Sequence, residues 1–140
     1  MRVVSIGDLV TDYYYKNGKL LGLNGGMTSH NIVANLSKNK IDTSVFGVCG
    51  NDVQGEIAIK SLKDLDIETS NIEILENTRT RCFHVSYIEN ENGLSFTSKK
   101  KCLYCNNKKW YEESLINVSK ILSNINEQDI LVFDNLNNKN

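Results

Sequence analysis

The chain has 140 residues, of which 24% are charged and 40% hydrophobic, and its formal net charge is -1. This size and composition are typical of one folded globular domain and exclude a disordered chain. The near balance of 16 basic and 17 acidic residues gives no basic surface for nucleic acid and no attraction to anionic lipids. The longest apolar runs, such as residues 130–133, are too short for a membrane span or a signal peptide. We therefore expect a cytoplasmic protein with neither nucleic-acid nor membrane partners.

Strands and helices are predicted in alternation along the chain. Apolar or alternating runs predict strands over residues 3–6, 12–15, 20–23, 43–48, 72–75, 82–88, 94–98 and 129–134. Apolar side chains at helical spacing predict three helices. The first covers residues 28–38, and the second begins after Asp52. The third has one apolar face formed by Leu115, Val118, Leu122 and Ile125. This order predicts an α/β fold, a doubly wound and mostly parallel sheet with helices on both faces. The clustered antiparallel strands form an insertion that stands off this sheet.

Several local features of these elements follow from turn and cap chemistry. Asn17 and Gly18 fit a tight hairpin turn between the second and third strands. The next glycine pair is expected to end the hairpin, and Thr28 or Ser29 to cap the following helix. His84 is expected to be a solvated or hydrogen-bonded strand residue. The last strand is expected to be buried and to continue into further elements, so we expect the chain to be part of a larger unit.

A set of polar residues lies near the predicted strand ends and the first helix start. It consists of Gly7, Asp8, Asp12, Gly25, Gly26 and Asn31. A carboxylate accepts hydrogen bonds from two neighbouring hydroxyls, an amide both donates and accepts, and glycine lets a ligand approach the backbone. This combination suits a neutral polyhydroxy ligand such as a sugar or a nucleoside. The alternative is an ordinary turn in which Asn31 is simply solvated.

Three stretches of the chain resemble the PfkB carbohydrate kinases, the ribokinase-like family. Residues 4–8 with Asp12 resemble the first strand of that family and its sugar-binding aspartate. Residues 25–37 resemble its signature of a glycine pair followed by an asparagine on a helix. Residues 47–55 match its Gly-x-Asp-x-x-Gly element. The resemblance, which covers the chain to about Ile88, implies a ribokinase-like fold.

The resemblance implies the N-terminal, substrate-binding half of a single kinase domain over residues 1–140, truncated relative to the family. Lid strands at about 12–23 and 82–98 would close over the ligand and offer a surface for a homodimer. The complete enzyme would be an ATP-dependent kinase of a sugar, a nucleoside or a related polyol, with ATP and Mg²⁺ as cofactors. The substrate contacts implied are Asp12, Gly25, Gly26 and Asn31, with His30 at the edge of the sugar pocket.

The sequence departs from the family pattern in two ways. Four residues separate Gly26 from Asn31 where the family usually has three, so either one residue is inserted or Met27 replaces the second glycine. The Gly-rich anion hole, the catalytic aspartate and the ATP-binding motif of the family's second half have no counterpart here. No glycine follows Asp134, so no catalytic residue is predicted and we expect this chain alone to be inactive. The alternative function is a non-catalytic remnant that binds a ligand or a partner.

Two further patterns are interpreted without a functional site. Cys102 and Cys105 form a C-x-x-C pair downstream of Cys82 and His84, which is half of a common zinc ligand set. A second pair is missing, so the cysteines are interpreted as ordinary thiols and no metal site is predicted. The basic run 99–101 near several aromatic residues is interpreted as a solvated turn and not as a nucleic-acid site, because the overall charge is balanced.

Overall fold

The computed structural model of the chain describes residues 1–91, 93–99 and 116–134. The strands in these ranges are β1 (Val3–Asp8), β2 (Val10–Lys16), β3 (Lys19–Gly26), β4 (Thr43–Gly50), β5 (Ile72–Leu75), β6 (Arg81–Asn90), β7 (Gly93–Lys99) and β8 (Ile130–Phe133). The helices there are α1 (Thr28–Lys38), α2 (Val53–Lys63) and α3 (Val118–Asn124). Each predicted strand and helix has a counterpart among them. None of the helices in these ranges has both the length and the apolar character that crossing a membrane requires.

Sheet A contains β5, β4, β1 and β8 in that order, with every neighbouring pair parallel. Because successive side chains of a strand point to opposite faces, the two faces carry separate apolar clusters. On one face, Val33 of α1 and Leu62 of α2 pack with Val45 of β4. On the other face, Ile121 of α3 packs with Phe46. The predicted doubly wound, mostly parallel α/β sheet with helices on both faces is therefore confirmed.

Sheet B contains β3, β2, β6 and β7 in that order. It consists of two antiparallel hairpins, β2–β3 and β6–β7, joined by a parallel pairing of β2 with β6. The predicted turn in the first hairpin is confirmed, since Asn17 and Gly18 both have positive φ angles, 47° and 79°. This is the backbone that an Asn-Gly pair supplies in a two-residue hairpin loop. Sheet B is thus the predicted insertion beside sheet A.

The start of α1 differs from the prediction. β3 continues through Gly25 and Gly26, which pair with Thr11 and Val10, so the glycine pair does not end the hairpin. The residue before the helix is Met27, and it provides no side-chain cap. The predicted hydroxyl cap is therefore wrong, because strand pairing runs almost to the first helical residue. Ser29 instead lies buried in the first turn.

The prediction for α3 was also wrong in part. Of the predicted face, Ile125 packs against the core beside the buried Ile121, whereas Val118 and Leu122 are 63% and 65% exposed. Leu115 lies outside the described residues. The last strand is expected to be buried only in the larger unit, and Ile130 and Phe133 are exposed in this chain. The reason is that, within the described residues, β8 is the edge strand of sheet A and only β1 flanks it.

Candidate functional site

Asp12 lies half-buried on sheet B between Asn24 of β3 and Phe83 of β6. The hydroxyl of Tyr14 donates a hydrogen bond to its Oδ2 atom at 3.0 Å. Burial raises the pKa of the Asp12 carboxyl, and the hydrogen bond from Tyr14 opposes that rise. Burial, followed by the Asp12 charge, raises the pKa of Tyr14 to about 12, so its hydroxyl stays protonated as a donor. Asp12 is therefore a partly desolvated carboxylate with one fixed donor.

Neither glycine of the pair has room for a side chain. A Cβ at Gly26 would overlap the carboxylate of Asp12. A Cβ at Gly25 would overlap the ring of His30 and the hydroxyl of Ser61. The structure therefore brings Asp12 and Gly26 into direct contact, as a shared ligand site would need.

Met27 follows the glycine pair with φ 73° and ψ 168°. This region of backbone space is essentially restricted to glycine, and other residues are strained in it. Of the two alternatives for the departure from the family pattern, the backbone favours the one in which Met27 stands where a glycine is usual. Its half-buried side chain then occupies space that a glycine would leave open.

His30 is buried, with 2% of its surface exposed, although it contributes to the wall of a cavity between α1 and α2. Its Nε2 atom lies 2.7 Å from Ser61 Oγ, and its Nδ1 atom lies 3.3 Å from Asn31 Oδ1. The backbone N–H of Gly25 donates to the same Ser61 oxygen at 3.2 Å. Burial lowers the pKa of His30, against a smaller opposing effect of Asn31, so the ring is neutral near pH 7. His30 thus links the glycine pair to α2 and to Asn31.

A cavity of about 300 Å³ opens beside this network, between α1 and α2. Its lining includes Asn24, His30, Asn31, Lys38, Ser61 and Asp64. Asn31 is exposed there, on the first turns of α1. Asp12 does not line this cavity, and it is connected to Asn31 through Gly26, Gly25 and His30. The predicted site residues therefore form one continuous stretch with Asp12 at one end and Asn31 at the other.

Two acidic residues lie at the carboxyl end of sheet A, of which Asp8 belongs to the predicted polar set and Asp134 does not. Asp134, just after β8, accepts a hydrogen bond from the backbone N–H of Thr28 at 3.2 Å. Asp8, the last residue of β1, forms a largely buried ion pair with Arg81 at 3.3 Å. The signal in the sequence was their position, because the carboxyl ends of adjacent parallel strands meet at one edge.

The Gly-x-Asp-x-x-Gly element forms a structural junction. The Oδ1 atom of Asp52 accepts hydrogen bonds from Gly55 N at 2.8 Å and from Thr80 Oγ1 at 2.6 Å. Its Oδ2 atom accepts one from Thr80 N at 2.8 Å. A Cβ at Gly50 would overlap the carbonyl of Thr78. Asp52 therefore caps α2, as predicted, and also ties it to the segment that enters β6.

Of the four residues considered as zinc ligands, the structure describes His84 and Cys82. His84 is buried, stacks on Tyr13 with ring centroids 4.8 Å apart, and contacts the Tyr15 hydroxyl through Nδ1 at 3.3 Å. Of the two predicted environments, the hydrogen-bonded one is correct and the solvated one is wrong. Cys82 is buried, and its thiol donates to the carbonyl oxygen of Thr80 at 3.6 Å. Cys102 and Cys105 lie outside the described residues.

No protein-family model and no curated protein matches this sequence. Solved structures do match it. A PfkB family carbohydrate kinase from Listeria grayi has a TM-score of 0.68 at 17% identity, over 95% of this chain and 41% of that one. An uncharacterized sugar kinase from Pyrococcus horikoshii in complex with ATP has a TM-score of 0.67 at 21% identity, over 94% and 42%. The chain has the ribokinase-like kinase fold.

A third structure with this fold is a candidate ribokinase II from Escherichia coli in complex with ATP and Mg²⁺. Its TM-score is 0.57 at 17% identity, over 70% of this chain and 33% of that one. The chain therefore spans between about a third and two fifths of these ribokinase-like chains. In each case, the shared part contains most of the 140 residues of this protein.

Proposed function

We propose that this chain is the substrate-binding half of an ATP-dependent kinase that phosphorylates a hydroxyl of a sugar, a nucleoside or a related polyol. The observation that carries the proposal is the half-buried carboxylate of Asp12, held by Tyr14 and faced by Gly26. A partly desolvated carboxylate gains from hydroxyl donors that a ligand brings. The ribokinase-like fold, which is shared with sugar kinases, supports the same substrate class.

The charges around the site favour a neutral ligand. Asp12 and Asp134 lie on either side of the turn at Met27 and both present carboxylates. Arg81, the nearby cation on β6, is already paired with Asp8. At the Asp12 end of the site, a phosphorylated or carboxylate ligand would therefore meet two negative charges, whereas sugar hydroxyls donate to carboxylates.

Each of the proposed contact residues has a distinct role. Asp12 accepts hydrogen bonds from ligand hydroxyls, and Gly26 leaves the space in which the Asp12 carboxylate lies. Asn31 contributes its amide at the other end of the site. Gly25 and His30 act indirectly, because Gly25 is packed against His30 and Ser61 and the His30 ring is buried.

Sheet B is proposed to act as the lid, over residues 12–23 and 82–98. The register places Tyr87 and Phe96 opposite each other on the same face as Asp12. Phe96 is 70% exposed on this face. We propose that this face covers the ligand and also meets a second copy of the chain in a homodimer, since burial of an exposed aromatic side chain favours association.

The helix starts in the described residues do not fit the phosphates of ATP. A helix N-terminus binds phosphate through free backbone N–H groups. At α1 the N–H of Thr28 already donates to Asp134, and Asp52 and Asn117 cap α2 and α3. ATP and Mg²⁺ are therefore proposed to bind outside these residues, in agreement with the missing sequence motif.

The proposal is tested by ligand-observed NMR with three neutral probes, D-ribose, D-fructose and adenosine, and with D-fructose 6-phosphate as the anionic comparison. We expect at least one neutral probe to bind and the phosphorylated sugar to bind more weakly than D-fructose. An assay with γ-labelled ATP should show no phosphate transfer by this chain alone. The absence of binding by all three neutral probes, or stronger binding of the phosphorylated sugar, would contradict the proposed substrate class.

A further inference from the structure

The two oxygens of the Asp12 carboxylate differ in their surroundings. The Tyr14 hydroxyl lies 3.0 Å from Oδ2. Oδ1, in contrast, has no hydrogen-bond donor among the residues that the structure describes. Because the carboxylate is half-buried, Oδ1 has lost part of its hydration and gains from any donor that a ligand brings. Oδ1 is therefore the oxygen of Asp12 that is open to a ligand.

The hydrogen in the contact between Tyr14 and Asp12 belongs to Tyr14. An ionised carboxylate only accepts hydrogen bonds, so the phenol must donate. Burial, followed by the Asp12 charge, raises the pKa of Tyr14 to about 12, so the phenol keeps this hydrogen at neutral pH. The register pairs Tyr14 with Gly22 on β3 and with Val85 on β6, and neither side chain forms hydrogen bonds. The cross-strand neighbours of Tyr14 thus offer its hydroxyl no alternative to Oδ2.

The Tyr14 hydroxyl takes a place that a sugar hydroxyl would otherwise fill. A carboxylate can hold two neighbouring hydroxyls of a ligand, one on each oxygen. In this chain, the phenol oxygen already lies at hydrogen-bond distance from Oδ2, and a Cβ at Gly26 would overlap the same atom. A ligand hydroxyl at Oδ2 would therefore meet both the phenol and the Gly26 backbone. The two oxygens of Asp12 are not equivalent for a ligand.

We propose that Tyr14 is a specificity-determining residue: it fills Oδ2 of Asp12, so that this carboxylate binds one ligand hydroxyl through Oδ1 and not a neighbouring pair. The ligand part of this inference rests on the proposed function, whereas the occupation of Oδ2 does not. Removal of the Tyr14 hydroxyl frees Oδ2 for a second hydroxyl. A variant without it then recognises a pair of neighbouring hydroxyls where the wild type recognises one.

The test compares Tyr14→Phe with the wild type by calorimetric titration. The probes are whichever of D-ribose, D-fructose and adenosine binds best, and its monodeoxy analogues. We expect Tyr14→Phe to bind the parent compound about tenfold more tightly, because one hydrogen bond to a charged group is gained. At least one monodeoxy analogue should not show this gain, because it lacks the second hydroxyl. Tyr15→Phe, the matched control, removes a hydroxyl from the opposite face of the same strand and should bind as the wild type does.

Unchanged or weaker binding of the parent compound by Tyr14→Phe would overturn the assigned specificity. A second measurement needs no ligand. Because the Tyr14 hydroxyl stabilises the ionised form of Asp12, Tyr14→Phe should raise the pKa of the Asp12 carboxyl in ¹³C NMR, and Tyr15→Phe should not. An unchanged pKa in Tyr14→Phe would overturn the occupation of Oδ2. If none of the probes binds, the proposed function fails and the specificity fails with it, whereas the pKa of Asp12 still decides whether Tyr14 occupies Oδ2.

Discussion

At the scale of single residues, the negative charge of the half-buried Asp12 lowers the stability of the folded protein. Its pKa is raised by burial, so the native state binds the proton more readily than the unfolded chain does. The pKa of Asp12 is thus higher in the folded than in the unfolded protein. As pH rises from the unfolded-state pKa through the folded-state pKa, ionisation of Asp12 lowers the free energy of unfolding. At neutral pH the full penalty is present, and below the unfolded pKa it is absent.

We therefore expect Asp12→Asn to raise the melting temperature at pH 7 and to leave it unchanged near pH 3. The amide keeps an oxygen for the Tyr14 hydroxyl and removes the desolvated charge. Thermal melts at the two pH values measure this effect, with the exposed Asp42→Asn as the control. A lower melting temperature at pH 7 than that of the wild type would show that the Asp12 charge stabilises the fold.

The space at Gly26 gives a second prediction at this scale. Gly26→Ala places a Cβ against the Asp12 carboxylate, whereas Gly22→Ala on the same strand meets no atom within 4 Å. We expect Gly26→Ala to destabilise the protein by about 1–3 kcal/mol, the range for an overpacked site, and to abolish sugar binding. Gly22→Ala should change stability by less than about 0.5 kcal/mol. Urea unfolding of the two variants tests the difference, and equal values would contradict the assigned contact.

At the scale of the elements, the sequence predicted what local chemistry controls. The β2–β3 hairpin was predictable because Asn17 and Gly18 supply the turn backbone themselves. The cap of α2 was predictable because Asp52 lies next to the N–H groups it accepts from. The start of α1 was not, because the acceptor for Thr28 N is Asp134, which follows β8 and is distant in the sequence.

The inner face of α3 also could not be read from spacing alone. Apolar residues occur around this short helix, and its neighbours in sheet A decide which of them is buried. The packing of Ile121 against Phe46 leaves Val118 and Leu122 exposed. In the site, the grouping of Asp12 with the glycine pair followed from residue types, but the burial of His30 depends on Ser61 of α2, which periodicity does not reveal.

The junction at Asp52 gives the prediction for this scale. Asp52→Ala removes the acceptor of three hydrogen bonds, from Gly55 N, Thr80 N and Thr80 Oγ1. We expect a loss of about 2–4 kcal/mol in the free energy of unfolding, because buried donors in the segment before β6 lose their partner. The control Asp64→Ala removes only an exposed ion pair with Lys60 and should cost less than about 1 kcal/mol. Similar losses of unfolding free energy in the two variants would contradict the role of Asp52 in tying α2 to the segment before β6.

At the scale of the whole molecule, the exposed apolar side chains on sheet B predict association. Phe96 on β7 and Val118 on α3 are both largely exposed, but only Phe96 lies on the proposed lid. We expect the wild type to sediment as a dimer, and Phe96→Ser to shift it toward the 15.8 kDa monomer. Val118→Ser is the matched control and should remain dimeric. A monomeric wild type, or a dimer unaffected by Phe96→Ser, would contradict the lid interface.

The central claim, that Asp12 binds the hydroxyls of a neutral sugar, is tested most directly by calorimetric titration of the best neutral probe. The titration compares the wild type with Asp12→Asn and with Asp42→Asn. A hydrogen bond to a charged, partly buried carboxylate contributes about 1.5–3 kcal/mol, so Asp12→Asn should weaken binding by roughly ten- to a hundredfold. Asp42→Asn should bind as the wild type does. An affinity of Asp12→Asn within about twofold of the wild type would contradict the account.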